Sequence, residues 1–253
     1  MDLFCVCVRF KCMSFYAVGS VSGGTADISV HEKLHDGTLR EVRKSTGGPW
    51  GGRYVEDGYL RLLESVFGSK ALKRLKSERM GDYLKILTEF ETQKRTLTPS
   101  TRDKMTFTVS KSLMDFSEEN GELVKDNLVG ISNDGKFEID GDNNKLLVDP
   151  LVVKEWFDRP LDSLVEHVNK LLDEPKLRGI ETVLLVGGFG ESLYVKQKLT
   201  ESIKTDRLVV PDNAGIVILL GAVRCGHIPN LVSSKLQHTD QDKHYALFDN
   251  LKS

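Results

Sequence analysis

The sequence has little of what marks a membrane protein or a nucleic-acid binder. Its 253 residues carry 35 Lys and Arg against 37 Asp and Glu, which gives a formal net charge of −2. A near-neutral chain argues against a dedicated nucleic-acid binder, because such proteins are usually basic. No apolar stretch approaches the roughly 18 residues of a membrane span. We interpret the longest stretch, Gly215–Val223, as a core element.

Cysteine is also scarce, and no disulfide framework is readable from its pattern. Three of the four cysteines lie in the first twelve residues with no histidine nearby. Their C-x-C-x4-C spacing lacks a fourth ligand, so we expect no zinc site. A chain without readable disulfides favours a reducing, cytoplasmic location. Asp2 and Arg9 interrupt the apolar start, so we interpret residues 1–14 as a poorly defined segment rather than a signal peptide.

Several common catalytic motifs are missing. The chain contains no G-x-S-x-G and no G-x-x-x-x-G-K-[ST]. Its H-E-x-x-H match, residues 31–35, continues the alternating stretch predicted as a strand, so it lacks the helix on which a zinc site of this type is built. Metal-hydrolase and serine-hydrolase chemistry are therefore unsupported, and so is a P-loop. What the sequence does contain is a set of short glycine-rich turns placed between strands and helices.

The hydrophobic pattern predicts an α/β lobe interrupted by an insertion. Ala26–His31 alternates with period two, as a half-buried strand does. Glu181–Val186 is a continuous buried strand of the parallel type. Between them the pattern is mostly helical. We therefore predict a sheet-containing lobe from residues 15–50 plus 147–226, an inserted helical subdomain at 51–146 and a polar tail at 227–253.

The pattern also predicts individual helices and strands. Asp149 and Pro150 form an N-cap and first helical residue, and Pro160 is predicted to kink the helix that follows. The other predicted helices are Val55–Phe67, Lys70–Arg79, Tyr83–Leu97 and Asp212–Arg224. The other predicted strands are Phe15–Val21, Leu39–Val42, Lys104–Ser110, Lys136–Ile139 and Leu208–Val210.

The first candidate site is the turn that holds Gly23, Gly24 and Thr25. Consecutive glycine amides can form an anion-binding nest, and Thr25 adds a hydroxyl donor. Asp27 follows two residues later, where a carboxylate could hold the water shell of Mg²⁺ opposite a phosphate. The alternative is an ordinary tight turn followed by a surface aspartate.

The second candidate site is Gly187-Gly188-Phe189, between a buried strand and a helix. Ligands of α/β proteins bind at the carboxyl ends of strands, so this turn is well placed for one. The alternative is a plain strand-to-helix turn. It does not match G-x-G-x-x-G, which makes a dinucleotide fingerprint a weak interpretation.

The third candidate site is formed by Glu91, Lys94 and Thr98, which a helix would place on one face. An acceptor, a cation and a hydroxyl together suit a ribose or a purine edge. The alternative is an exposed Glu–Lys pair on a solvated helix.

The order of these motifs resembles a known family. The sequence has Gly-Gly-Thr-x-Asp on a hairpin, the phrase GGPWGG, a helix ending in ETQKRTLT, then LLVGGFGES and a late Gly-Ala-Val. This order is similar to the second lobe of the actin-like ATPase domain of the 70 kDa heat-shock chaperones. The phrases look most like the divergent heat shock 70 kDa protein 12 branch. The resemblance covers about residues 15 to 226.

The resemblance implies an actin-like (ribonuclease H-like) α/β fold that binds ATP or ADP with Mg²⁺. It places Gly23, Gly24 and Thr25 at the β- and γ-phosphates, with Asp27 at the magnesium shell or the attacking water. Thr25 and Asp27 would thus be the catalytic residues. Further nucleotide contacts would come from Gly51, Gly52, Glu91, Lys94, Thr98, Gly187, Gly188, Phe189 and Asp212. Chaperone activity in the stress response, with client or co-chaperone partners, is also implied.

The sequence departs from the family pattern at the phosphate turn. Ser20 and Ser22 stand where the family has an aspartate and a glycine, and Arg53-Tyr54 replaces an acidic pair. No counterpart of the family's first lobe lies upstream of residue 15. Because phosphoryl transfer depends on charge around the γ-phosphate, we expect weak hydrolysis or none.

Two other functions stay open. One is a nucleotide-independent protein-interaction module that retains the fold, which Ser20, Ser22 and Arg53 favour. The other is a sugar or carboxylate kinase of the same actin-like superfamily, which the segment ETQKRTL makes less fitting.

Overall fold

The computed structural model of the protein describes residues 15–21, 23–35, 39–131, 134–140 and 144–227. The first fourteen residues with their cysteines, Ser22 of the first glycine turn and the tail beyond residue 227 lie outside the described residues. The predictions made for those parts therefore stay predictions.

The described chain opens with an antiparallel meander. Its strands are β1 (Phe15–Val21), β2 (Ala26–Lys33) and β3 (Leu39–Gly48). In β2 the side chains of Ala26 and Ile28 are buried whereas Asp27 is exposed, which is the alternation of a half-buried strand. β3 extends past its predicted end at Val42 because its last residues still pair with β2, with Gly48 opposite Ala26.

Three helices follow and begin the insertion. They are α1 (Arg53–Phe67), α2 (Ser69–Glu78) and α3 (Met80–Lys94). α3 ends before the predicted Leu97, because Leu97 turns into the core and Pro99 disfavours helical geometry at the residue before it. The prediction that Glu91, Lys94 and Thr98 share one helical face is therefore wrong for Thr98.

A small second sheet completes the insertion. Its elements are β4 (Met105–Thr108), α4 (Lys111–Glu119), α5 (Val124–Ile131), β5 (Phe137–Asp140) and β6 (Lys145–Val148). The strands are antiparallel in the order β4-β6-β5. The sequence predicts β4 and β5 but misses β6, because the only signal of its burial is the pair Leu146 and Val148.

A long helix, α6 (Pro150–Leu172), leads back to the first sheet. Its start is as predicted: the Asp149 Oδ1 accepts a hydrogen bond of 2.7 Å from the Leu151 N–H, and proline occupies the first helical position. The helix continues through Pro160 to Leu172.

The remaining elements are β7 (Ile180–Val186), α7 (Leu193–Ser202), β8 (Arg207–Val209) and α8 (Val217–His227). β7 pairs in parallel with β1, and β8 with β7, so the first sheet has the order β3-β2-β1-β7-β8. The predicted fold class, an α/β lobe with an inserted, mainly helical α+β subdomain, is confirmed. The limits predicted for the two parts stay a prediction.

Two predictions about the last helix, its start and its burial, are wrong. α8 begins at Val217 rather than at Asp212, because the intervening residues form turns in which the Ala214 N–H donates to the Pro211 carbonyl. It is also not a core element on all sides. The exposed apolar side chains of α8 and of the residue just before it, with their exposed fractions, are Ile216 (52%), Leu219 (64%), Leu220 (48%) and Val223 (54%). No helix of the described residues is long and apolar enough to cross a membrane.

An aromatic cluster joins the insertion to α6. Tyr59 and Phe90 stack with ring centroids 4.3 Å apart, and Phe107 and Trp156 pack against them. Such pairs contribute about 0.5–1.5 kcal/mol beyond the burial of their area. The core of the sheet lobe therefore continues into the insertion, and this positions α1 and α3 against the glycine turns.

Candidate functional site

Four segments that are far apart in the sequence enclose a pocket of about 670 Å³, which we call the central pocket. They are the turn between β1 and β2, the start of α1, the end of α3 and the turn that follows β7, with one residue of α6 behind them. The lining residues are Gly23, Gly24, Gly52, Arg53, Glu56, Glu91, Lys94, Arg95, Phe157, Gly188, Phe189, Glu191 and Ser192. Parts of all three candidate sites from the sequence thus meet in one cavity.

The first glycine turn is tied to the start of α1. The backbone N–H of Arg53 donates to the carbonyl of Gly23 at 2.5 Å. A Cβ built on Gly23 or Gly24 would meet nothing within 4 Å, so both face open space. A ligand can therefore reach the backbone of this turn directly.

At Gly52 the backbone at the start of α1 comes close to side chains of the central pocket. A Cβ on Gly52 would lie 3.0 Å from Cδ2 of Phe189 and 3.6 Å from Nζ of Lys94. Glycine thus lets the start of α1 touch both the aromatic ring and the lysine. This is the physical reason that glycine is needed at position 52.

The Glu91–Lys94 pair is largely buried on the lysine side. Lys94 Nζ donates a hydrogen bond to Glu91 Oε1, and the side chains are 10% and 41% exposed. Nζ also lies 5.7 Å from the centroid of the Phe90 ring. A charge so shielded needs its partner, so Glu91 holds Lys94 in place at the pocket wall.

An aromatic stack forms another part of the pocket wall. Phe189 packs on Phe157 with centroids 5.6 Å apart and planes at 18°, and Phe157 meets Tyr194 edge-on at 5.5 Å. The Tyr194 hydroxyl donates to Asp158 Oδ1 at 2.8 Å. Burial raises the pKa of Tyr194 above its usual range, and the bond to Asp158 raises it further. The tyrosine therefore stays neutral and supports the wall.

The central pocket is lined by three positive and three negative side chains, but only some of them have a partner. Glu91 is paired with Lys94, and Glu191 Oε1 accepts a 2.8 Å hydrogen bond from the Gly215 N–H. Among the described residues, neither Arg53 nor Arg95 has a side-chain hydrogen bond or ion pair. Of the lining carboxylates, Glu56 alone has no hydrogen bond or ion pair to a described residue. Two unpaired cations suit an anionic ligand.

Sequence reasoning missed six lining residues. Most of them adjoin a predicted residue: Arg53 follows Gly52, Arg95 follows Lys94, and Glu191 and Ser192 come just after Phe189. The Ser192 hydroxyl oxygen is buried and, within the described part of the chain, lacks a hydrogen-bonding partner. Glu56 and Phe157 are the other two. Phe157 has no local signal, since its position depends on how α6 packs.

Six predicted residues do not line the central pocket. They are Thr25, Asp27, Gly51, Thr98, Gly187 and Asp212. The Thr25 hydroxyl donates to Asp27 Oδ2 at 3.3 Å, and both residues are exposed at the start of β2. Gly51 is buried, and Asp212 is exposed in the turn before α8.

Thr98 and Gly187 have structural partners instead. The Thr98 N–H donates to Thr101 Oγ1 at 2.9 Å, which closes the turn after α3. Gly187 has a positive φ of 95°, and a Cβ there would lie 2.3 Å from the Val21 carbonyl oxygen. Both therefore shape the segments that carry Lys94 and Gly188. Their predicted roles in binding stay predictions.

The residues present do not fit the magnesium site implied by the resemblance. Asp27, the predicted magnesium residue, is outside the pocket lining. Among the described residues, no group of three or more His, Cys, Asp or Glu side chains could hold a metal ion.

The fold and the site thus define an α/β lobe whose inserted subdomain closes a glycine-rich, charged pocket. The chain is 31% identical over 223 residues to human (Homo sapiens) heat shock 70 kDa protein 12B and 29% identical over 220 residues to human heat shock 70 kDa protein 12A. Each match covers 86% of this chain but 32% of the relative, so the chain spans about a third of the curated relatives it matches. Mouse (Mus musculus) heat shock 70 kDa protein 12A matches at 29% over 220 residues. The resemblance to the heat shock 70 kDa protein 12 branch is confirmed.

The other comparisons add little. No protein-family model matches the chain. A solved structure of a non-polymerisable quadruple mutant of pCBH ParM is similar with a TM-score of 0.46 and 12% sequence identity. That match covers 86% of this chain and 48% of the ParM chain.

Proposed function

We propose that the chain binds an adenine nucleotide, ATP or ADP, in the central pocket. The observation that carries the proposal is the convergence of the turn at Gly23-Gly24, the Glu91–Lys94 pair and the turn at Gly188-Phe189 on one cavity. These are the segments that the resemblance assigns to phosphate, adenosine and ribose. A volume of about 670 Å³ also lies within the usual range of small-molecule sites.

Each part of the pocket has a chemical role in this proposal. The Gly23-Gly24 backbone receives the phosphates, because its surface is open and free of side chains. The Glu91 carboxylate accepts from ribose hydroxyls, and Lys94 donates to the sugar or the base. Phe189 presents an apolar ring edge to the nucleoside. Ser192, with its unpartnered hydroxyl, supplies a further hydrogen bond.

We propose binding with weak hydrolysis or none. Thr25 and Asp27, the residues assigned to the γ-phosphate chemistry, lie outside the pocket lining. Positioning and charge neutralisation supply most of the rate in phosphoryl transfer. A role as the nucleotide-binding part of a chaperone-type protein, with client or co-chaperone partners, rests on the similarity to the heat shock relatives alone.

Isothermal titration with ATP, ADP, AMP and adenosine tests the binding. We expect measurable binding of ATP and ADP, and a loss of about ten-fold or more in Lys94→Met, because a buried charged donor is removed. Lys170→Met is the matched control, since that lysine forms an exposed pair with Glu166. Absence of any nucleotide binding by the folded wild-type chain contradicts the proposal. A parallel phosphate-release assay tests the hydrolysis, and steady turnover contradicts that part.

A second candidate function is protein interaction that does not depend on nucleotide. The observation that favours it is the apolar row Ile216, Leu219, Leu220 and Val223 exposed on and next to α8. Exposed apolar rows of this kind mark interaction surfaces. A thermal-shift comparison separates the two functions, because a nucleotide that binds only the native state must raise the Tm. An unchanged Tm with saturating ATP and ADP favours the interaction module.

A further inference from the structure

Arg53 is one of two arginines of the central pocket that, among the described residues, have no ion pair or side-chain hydrogen bond. It is the first residue of α1, and its backbone N–H donates to the Gly23 carbonyl. Its side chain therefore starts directly beside the turn proposed to receive the phosphates. It lines the pocket and is exposed.

Without a ligand, the positive charge of Arg53 at the start of α1 is unfavourable for the stability of that helix. A positive charge at a helix N-terminus opposes the helix dipole, typically by about 0.3–1 kcal/mol. No described carboxylate forms an ion pair with Arg53, although Glu56 lies in the same first turn. An anionic ligand beside Gly23 and Gly24 would remove this unfavourable charge.

The carboxylates of the pocket give a magnesium ion little to bind. Glu91 is held by Lys94, and Glu191 by the Gly215 N–H. Asp27 does not line the pocket, which leaves Glu56 as the one lining carboxylate without a hydrogen-bonding or ionic partner among the described residues. A guanidinium, in contrast, can bind phosphate oxygens with two parallel hydrogen bonds.

We infer that Arg53 binds the terminal phosphates of the nucleotide, and that the pocket takes a nucleoside di- or triphosphate without Mg²⁺. This inference rests on the proposed nucleotide binding. The charge that Mg²⁺ usually brings to a polyphosphate comes instead from the protein, from Arg53 at the glycine turn together with Arg95 at the end of α3.

Titrations of ATP, ADP and adenosine, each with Mg²⁺ and with EDTA at matched ionic strength, test the inference. We expect ATP and ADP to bind equally well or better in EDTA. Arg53→Ala should weaken ATP and ADP binding about ten-fold or more and leave adenosine within about two-fold, because charged hydrogen bonds of this strength are lost. Arg53→Lys should fall between, since it keeps the charge but not the paired donors.

Two further variants sharpen the test. Arg61→Ala removes an exposed arginine of the same helix and should leave all affinities unchanged. Glu56→Gln removes the free carboxylate and should strengthen ATP binding. Urea unfolding of each variant verifies that it is folded.

The outcomes separate this inference from the proposed function. If EDTA lowers the affinity for ATP about ten-fold or more, or Arg53→Ala leaves ATP binding unchanged, the inference is wrong while nucleotide binding stands. If neither ATP, ADP nor adenosine binds under either condition, the proposed function fails and the inference fails with it.

Discussion

Phe189 stacks on Phe157 across the boundary between the β7 turn and α6, with ring centroids 5.6 Å apart. Phe157 is fully buried and Phe189 is 7% exposed. Both rings are part of the hydrophobic core and also line the central pocket. The position of a pocket wall is thus determined by core packing. Changes in the core should therefore alter ligand affinity.

Phe157→Leu should lower both stability and nucleotide affinity. Leucine keeps the apolar burial but loses the ring contacts to Phe189 and Tyr194, which should cost about 1–2 kcal/mol of unfolding free energy. Urea unfolding followed by circular dichroism measures the change. Leu151→Ala, a 59% exposed position on the same helix, should cost less than about 0.5 kcal/mol. Equal costs for the two variants contradict the packing argument.

Gly52→Ala should abolish binding in the pocket with a modest effect on folding. The new methyl group would lie 3.0 Å from the Phe189 ring and 3.6 Å from Lys94 Nζ, so it must displace one of the two. Titration with ADP measures the loss. Gly81→Ala is the control, because nothing lies within 4 Å of its Cβ position in α3. It should bind normally and gain up to about 1 kcal/mol of stability.

Lys154→Met should destabilise the segment that follows α3. Lys154 Nζ donates to the carbonyls of Pro99 and Thr101 at 3.0 and 3.1 Å, and burial lowers the pKa of this lysine. Methionine keeps the stem but removes one of two donors from each carbonyl, because Arg102 Nη1 also donates to both. The cost should be about 0.5–1.5 kcal/mol, and denaturant unfolding measures it. A variant as stable as the wild type would show that Arg102 alone satisfies both carbonyls.

His167 should make stability depend on pH. Burial lowers its pKa, and the charges of Arg43 and Lys170 lower it further. The native state thus favours the neutral ring, which forms a 3.1 Å hydrogen bond with Thr46 and packs on Trp50. Because the unfolded chain binds the proton more readily, the contribution to stability is complete above the ordinary histidine pKa of about 6.5 and is lost as pH falls.

Unfolding titrations of wild type and His167→Gln between neutral and mildly acidic pH measure this effect. Glutamine cannot titrate, so its stability should fall less steeply than that of the wild type on acidification. Parallel curves for the two proteins would show that His167 does not titrate in this range.

Local signals explain which elements the sequence predicts well. The start of α6 depends on Asp149 and Pro150, whose roles as cap and first helical residue are readable without tertiary context. β2 and β7 follow from alternation and from a continuous apolar run. The strand β6 and the end of α3 are different, because each depends on a neighbour: β6 on pairing with β4 and β5, and α3 on the burial of Leu97.

The central pocket follows the same rule. Gly23, Lys94 and Gly188 are found from the sequence because each lies in a distinct motif at an element boundary. In the sequence, Arg53 is only a difference from the family pattern, and its position beside Gly23 is visible only in the structure. The exposed face of α8 is missed because an apolar segment does not reveal which side is covered.

The most direct test of a single nucleotide pocket is a ¹⁵N–¹H correlation spectrum of the chain during titration with ADP. The account predicts that the amides of Gly24, Lys94 and Gly188 shift together, with one shared Kd, while that of Gly81 stays in place. Shifts confined to one of the three segments, or no shifts at saturating ADP, would contradict it.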